Sequence, residues 1–408
     1  MGVVMDNKYF SDSIEQIDKA SRTTVDPQAW AREVAGSIVG AFSEMGLKTQ
    51  TLTNNGTSVA VTAIAKGNGS GLSIGFVNSL YQSNLCSTQA NALSEPEEHS
   101  ENLKILSSLT FLAAQLNAAK ELSVVNHPSD VQFHIGLRHI DCLPGTPTSA
   151  IIGSGNKVDA VVAKAAQIGN EIKFSATATG VLVGTIKVEG VATHCGNRAT
   201  SIRAGGLGDA AGVNALEKGM LVISAVRHLD DLWVRTKTHP RLPLASCTIG
   251  ISSFRADSGQ LVPFSFPNSA QIDIRVEYGP HESEFEIREE IERHVFTVVS
   301  QDPWLRDHPP SFSWLNLYPA FDLDPGHKLA KCVSAAIAKF SIVSTKPKAE
   351  SSFVENSNGA FYSAAGTPTI LLGCGAKNAS GSRQTNLDLD QVKDLKNLIL
   401  ETVTGWAG

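Results

Sequence analysis

Residues 171–194 read EIKFSATATGVLVGTIKVEGVATH, a strand–turn–strand run at which the style of the chain changes. On its N-terminal side, helices and strands alternate. Residues 10–50 are expected to be helical, with QAWAREVAGSIVGAFSEMG at helical spacing and a glycine stop. SVAVTAIAKG and GLSIGFVNSL read as strands, and the polar, aperiodic residues 81–100 as a loop. ENLKILSSLTFLAAQLNAAKEL is a long helix and DVQFHIGLRHI a strand; TPTSAIIGSGNKVDAVVAKA adds a short helix, a turn and another strand. Such alternation marks a layered α/β domain.

On the C-terminal side the order differs. A helix, GVNALEKGMLVISAVRHLDDLW, is followed by the strands LASCTIGISSFRA and NSAQIDIRVEYG and a charged helix, ESEFEIREEIERHVFTVVSQD. This is an α+β block of roughly one hundred residues, a common small-domain size. From residue 303 the first style returns, with helix GHKLAKCVSAAIAKF, strand TPTILLGCG and helix LDQVKDLKNLILETV. The expected fold class is α/β: a three-layer domain with a mixed sheet, formed by residues 1–186 and 303–408, with an α+β domain, residues 187–302, inserted in it.

Composition agrees. A chain of 408 residues calls for two domains, and 42% hydrophobic with 18% charged residues suits a sizeable core. The net charge of −6, without a basic run, gives nucleic acid or membrane-surface binding no electrostatic support. No apolar run is long enough to span a bilayer. MGVVMDNKYFSDSIEQIDKA has no hydrophobic leader region, so a cytoplasmic location is expected. Cys86, Cys142, Cys195, Cys247, Cys332 and Cys374 are scattered without a C-x-x-C pair, which fits free thiols in a reducing compartment.

Several motifs carry a resemblance. VEGVATHCG, GVNALEKG and FPNSAQIDIRVEYGP resemble the lid domain of the acetylornithine deacetylase, succinyl-diaminopimelate desuccinylase and aminoacylase family. QDPWLRDHPPSFSWLNLYPAF is similar to its acetylornithine deacetylase branch. NGAFYSAAGTPTILLGCG and SRQTNLDLDQV resemble the last strand and loop of its catalytic domain. The likeness runs from about residue 15 to the end. It implies a catalytic domain with a lid through which two chains form a homodimer. It also implies two zinc ions ~3.5–4 Å apart that activate water against an amide, held by His and carboxylate ligands.

Carried over one by one, those ligands are missing. The first His falls on Phe76 in SIGFVNSL, and its supporting Asp on Asn78. The bridging Asp falls on Asn102, two residues ahead of Lys104. The Glu pair falls near His139 and Ile140, beside Arg138. The next acid falls among Lys164, Ala165 and Ala166, the last His on Arg383, and a further acid on Asn358. Cationic side chains beside two zincs repel them by several kcal/mol at low dielectric. The expectation is therefore a retired metal site, with neither metal nor other cofactor.

His194, in VATHCG, matches the lid His that crosses the dimer interface to polarise a substrate carbonyl; the alternative is an ordinary surface His. Arg275 matches an Arg that grips a substrate carboxylate with its bidentate fork; the alternative is an Arg paired with a neighbouring acid. Phe264, three residues before Pro267, replaces an Asn of the same family motif. Between His194 and Gly212 lies an excess of about ten residues, with Arg198, Arg203 and Asp209, read as a solvated insertion or as a cover for an anionic substrate. His139 and Asp141 form the polar pair of the old metal pocket, with His139 a candidate general base. His134 alternates with apolar neighbours and is read as structural. Cys374 has no visible His partner for a nucleophile role. The acidic run Glu95–His99 is read as a solvated loop.

The candidate catalytic residues are thus His139, His194 and Asp141. The candidate substrate-binding residues are Arg275, Arg383, Asn102, Asn78 and Arg203. The first functional reading is a metal-independent enzyme of specialised biosynthesis. It acts on an amino-acid-derived or amide-containing small molecule by cyclisation, condensation, isomerisation or elimination. The second is a non-catalytic binding or regulatory relative. The third is a metal-dependent amidohydrolase with displaced ligands such as His99, Glu101, His139 and Asp141.

Overall fold

The structure, a computed structural model, describes residues 8–83, 95–139, 142–166, 172–196, 201–202, 212–257, 264–340, 357–374 and 387–407. The chain forms two compact units. One comprises Met1–Ala178 and Phe321–Gly408, the other Thr179–Ala320.

The first unit opens with α1 (Lys8–Thr23) and α2 (Pro27–Ser43). Residues 10–50 therefore hold two helices. The break lies at Asp26, whose carboxylate caps α2 by accepting from the Gln28 and Ala29 amides, with Pro27 in the first turn. The chain continues as β1 (Lys48–Asn54), β2 (Thr57–Ala65), β3 (Ile74–Tyr81), α3 (Glu95–Val124), β4 (Val131–Arg138), α4 (Thr146–Gly153), β5 (Ala160–Ala166), β6 (Lys173–Ser175) and β7 (Thr177–Ala178). Because α3 starts at Glu95, the end of the expected 81–100 loop is helical.

The second unit contains β8 (Gly180–Glu189), β9 (Ser201–Ile202), β10 (Gly212–Val213), α5 (Ala215–Thr236), β11 (Thr248–Asp257), β12 (Ser269–Tyr278), α6 (Glu284–Val299), α7 (Pro303–Asp307) and β13 (Ser311–Tyr318). The chain then returns to the first unit as β14 (Phe321–Asp322), α8 (Lys328–Phe340), α9 (Gly359–Ala364), β15 (Thr369–Cys374) and α10 (Leu389–Ala407).

In the first unit a seven-stranded mixed sheet runs β1-β2-β4-β3-β5-β15-β6. Strands β4, β3, β5 and β15 are mutually parallel, whereas β1, β2 and β6 run antiparallel to their neighbours. Successive residues of a strand point to opposite faces. On β3, Ile74, Phe76 and Leu80 join the core beneath α1, α2, α3, α8 and α10, whereas Val77 joins a second core with residues of α4 and α9. Helices thus cover both faces, giving three layers. This is why β5, AVVAKAA, and β15, TILLGC, read as nearly unbroken apolar runs. Short β7 and β14 pair antiparallel, with Ala178 opposite Phe321.

The second unit is a four-stranded antiparallel sheet, β11-β12-β8-β13. Its core joins β8, β11 and β12 to α5 and α6. Tyr278 faces Gly180 in register, and a Cβ there would lie 2.1 Å from the Tyr278 ring, so only glycine lets β8 start at that point. Lys218 of α5 and Asp302, which caps α7, form a buried ion pair at 2.6 Å. The unit's limits differ from the expected 187–302. Position 186 lies inside β8, and 302 leaves out β13, the edge strand that pairs with β8.

Candidate functional site

Strand β3 continues to β4 on one side, and β4 then crosses to β5 on the other. Such a reversal opens a crevice beyond the carboxyl ends of the parallel strands, where ligands bind in open α/β sheets. The residues at that end are Asn78, Ser79 and Tyr81 on β3, Arg138 and His139 at the end of β4, and Lys164 on β5.

Hydrogen bonds tie most of them together. Asn78, 1% exposed, donates through Nδ2 to the Ser108 carbonyl of α3 at 2.9 Å and accepts the Ser79 amide at 2.8 Å. Lys164 is buried and its Nζ donates to Ser108 Oγ at 3.0 Å; Ser108 Oγ in turn donates to the Lys104 carbonyl at 2.8 Å. Asn358 Nδ2 donates to Ser79 Oγ at 2.7 Å, and Ser357 Oγ to the Lys164 carbonyl at 2.7 Å. Gly359 permits this approach, because a Cβ there would meet Ala163 Cβ at 2.6 Å. Asn358 Oδ1 is buried without a described partner, an acceptor left open at a cost of ~1–3 kcal/mol unless something donates to it.

Positive charge gathers at the same place. The Arg138 guanidinium lies 5.4 Å and Lys164 Nζ 5.8 Å from the Tyr81 ring centroid, within cation–π range. His139 is half-buried, and its Nδ1 has no described hydrogen-bond partner. Asn102 lies off this cluster, its Oδ1 accepting from Arg22 at 2.6 Å beside the Arg22–Asp18 ion pair of α1.

In the second unit, His194 is exposed and accepts the Gly196 amide on Nδ1 at 3.0 Å, so its neutral form carries the proton on Nε2. Arg275 stands on the solvent side of β12 and pairs with Glu277 at 3.0 Å, the neighbouring-acid arrangement weighed against carboxylate binding. Asp141, Arg203 and Arg383 lie outside the described residues, as do Arg198, Asp209 and the side chains of His99, Glu101 and Cys374.

A two-zinc centre does not fit the described side chains. Phe76 is fully buried, stacks on Phe133 with 6.3 Å between centroids, and offers no lone pair. Asn78 has both ends of its amide engaged, and Lys164 brings a cation. Among the described residues no three His, Cys, Asp or Glu side chains come together to hold a metal.

Sequence reading missed Ser108 and Tyr81. Ser108 lies in SSLTFLAAQ with Ser107 and Thr110, three small polar residues in a buried helix face, and that polarity was the available signal. His134 is structural, as its strand position implied. Tyr362 Oη donates to its Nδ1 at 2.8 Å, its Nε2 donates to Gln132 Oε1 at 3.0 Å, and burial pushes its pKa down to about 3. A cleft of about 330 Å³, lined by Phe174, Pro325, Ala330 and Lys331 among others, lies elsewhere in the first unit and touches none of the candidate residues. Among the described residues no helix is long and apolar enough to cross a membrane.

A tripeptidase from Staphylococcus aureus superposes on 98% of the chain, and on 98% of its own, with a TM-score of 0.66 at 12% identity. A dinuclear metal-binding peptidase of the M20 family from Bacillus subtilis does so over 98% of both chains, with a TM-score of 0.63 at 12% identity. The fold is that of the M20 peptidases. By sequence, an N-formyl-4-amino-5-aminomethyl-2-methylpyrimidine deformylase from Halalkalibacterium halodurans is 30% identical over 238 residues, 56% of this chain and 54% of that protein. The chain spans about half the length of the curated relatives it matches. No protein-family model matches it.

Proposed function

We propose that the protein is an enzyme acting on a small amide-containing molecule at the carboxyl ends of β3, β4 and β5, with acid–base side chains in place of a two-metal centre. The observation that carries this reading is the donor set there: Phe76 packed on Phe133, Asn78 spent within the fold, and Lys164 buried against Ser108. The structural neighbours are peptidases, which supports an amide substrate, and the deformylase relative's name points to an N-formyl amine.

Each group then has a task. His139 takes and returns the proton. Arg138 and Lys164 supply positive charge where an amide oxygen gains electron density. Asn358 Oδ1 accepts a substrate N–H. Asn78, through its bonds to Ser108 and Ser79, positions the carboxyl end of β3. By the family resemblance Arg275 binds a substrate carboxylate. His194 polarises the carbonyl across a homodimer formed through the inserted unit, as the family resemblance implies. The reaction is an acid–base one on an amino-acid-derived amide in specialised biosynthesis: cyclisation, condensation, isomerisation or elimination. The setting is cytoplasmic.

The test is a mass-spectrometric screen of N-formyl amines, N-acyl amino acids and dipeptides with excess chelator present. Turnover is expected to survive the chelator, and His139→Ala to lower it by ~10²–10⁴-fold in a protein that stays folded. Loss under chelator with recovery on added zinc establishes the displaced-ligand amidohydrolase instead. Tight binding without turnover establishes the non-catalytic relative.

A further inference from the structure

His228 of α5 and His294 of α6 lie beside each other in the second unit, with ring centroids 5.3 Å apart and planes inclined at 35°. Nothing in the proposed chemistry uses them. The helices that carry them are held by their buried faces, Val222, Val226 and Leu229 on α5 and Ile287, Ile291 and Val295 on α6. His228 is exposed, whereas His294 is half-buried.

The hydrogen bonding of His294 defines its tautomer. The ring donates to the Ala225 carbonyl, one turn before His228 on α5. Nε2 is buried with no partner, so Nδ1 is the donor and Nε2 keeps its lone pair. An imidazole whose second nitrogen donates to a backbone carbonyl is the usual form of a metal-bound histidine, because that bond fixes the ring and raises its basicity. Burial and the neighbouring His228 also disfavour the protonated ring, which keeps it a ligand near neutrality.

We propose that His228 and His294 bind one divalent transition-metal ion of the zinc, nickel and copper class, clipping α5 to α6. With metal–nitrogen bonds of about 2.0–2.1 Å, a tetrahedral ion places two imidazole centroids roughly 5 Å apart, which the observed 5.3 Å matches. Glu290 lies one turn before His294, but its carboxylate is held by Trp233 Nε1 and Lys237 Nζ, both at 2.8 Å. Water fills the rest of the shell, so the ion exchanges readily. Imidazole ligands suit zinc, nickel and copper and exclude calcium and magnesium, which take oxygen.

The experiment uses untagged, chelator-stripped, full-length protein. Zinc, nickel and copper salts are titrated in turn, followed by calorimetry and by thermal unfolding, with Cu²⁺ resonance spectra reporting nitrogen ligation. One equivalent bound, two-nitrogen ligation and a raised unfolding temperature are expected. His228→Gln, at an exposed position, should leave metal-free stability unchanged and weaken binding by at least about 10-fold, since losing even an outer-shell partner costs that much. His294→Gln should weaken binding similarly, but His228→Gln decides, because it leaves the buried ring in place. Binding unaltered by His228→Gln, or no binding of any of the three ions at millimolar concentration, overturns the proposal.

Discussion

His134 makes stability depend on pH in a calculable way. Its ring is fully buried between β4 and α9, accepting from Tyr362 and donating to Gln132. Burial depresses its pKa from 6.5 to about 3. Below 6.5 the unfolded chain takes up a proton here that the folded chain refuses, so unfolding gains as pH falls, by up to ~1.4 kcal/mol per unit. Between about pH 7.5 and about pH 5 the loss integrates to roughly 2 kcal/mol, and the folded ring is still neutral throughout that window. The measurement is urea unfolding at both pH values for the native protein and for His134→Gln, which retains a donor and an acceptor but does not titrate. The variant should be less stable near neutrality and should lose about 2 kcal/mol less on acidification than the native chain. Equal losses in the two proteins would refute a buried neutral His134, and a shallower loss in the native chain alone would reverse the sign of its shift.

Other perturbations test other parts. Lys218→Met strands the Asp302 carboxylate in the second unit's interior and should cost about 3–5 kcal/mol in urea unfolding. Adding Asp302→Asn should regain part of this, since an amide still caps α7. Phe76→Ala removes a fully buried ring from the core beside Phe133 and should cost about 3–5 kcal/mol, read by the same method. Arg275→Ala breaks an exposed pair with Glu277 and should change stability by less than about 1 kcal/mol. A larger effect on substrate KM than on kcat would assign Arg275 to binding.

The layered order of the first unit and most helices and strands were legible because burial imposes a period. Strands buried on both faces, such as β5, read as apolar runs, and α6 announces itself with the capping box of Ser283 and Glu286. Strand β13 was not legible. It is a half-buried edge strand whose sequence, SFSWLNLY, follows a proline pair and lacks a strong apolar face. The resemblance placed Asn78, Lys164 and Asn358 near one another, but their partners depend on contacts across tens to hundreds of residues. Asn78 reaches Ser108, and Asn358 reaches Ser79. No local pattern encodes such pairings. The His228–His294 pair was equally invisible, because it requires two helices to meet at one height.

The short ladder of β7 and β14 has a consequence for how this architecture is built. The chain leaves the first unit after Ala178 and re-enters it at Phe321, and these two residues are cross-strand partners, one strand spacing of about 5 Å apart. Residues 179–320 are therefore a cassette whose ends start and finish at neighbouring points. A two-residue hairpin turn bridges the same gap in other antiparallel pairs. Among the described residues the first unit's sheet has no strand from the cassette, so excision with such a turn leaves its described ladders intact. Recombination can exchange one cassette for another at this seam without redesigning the sheet.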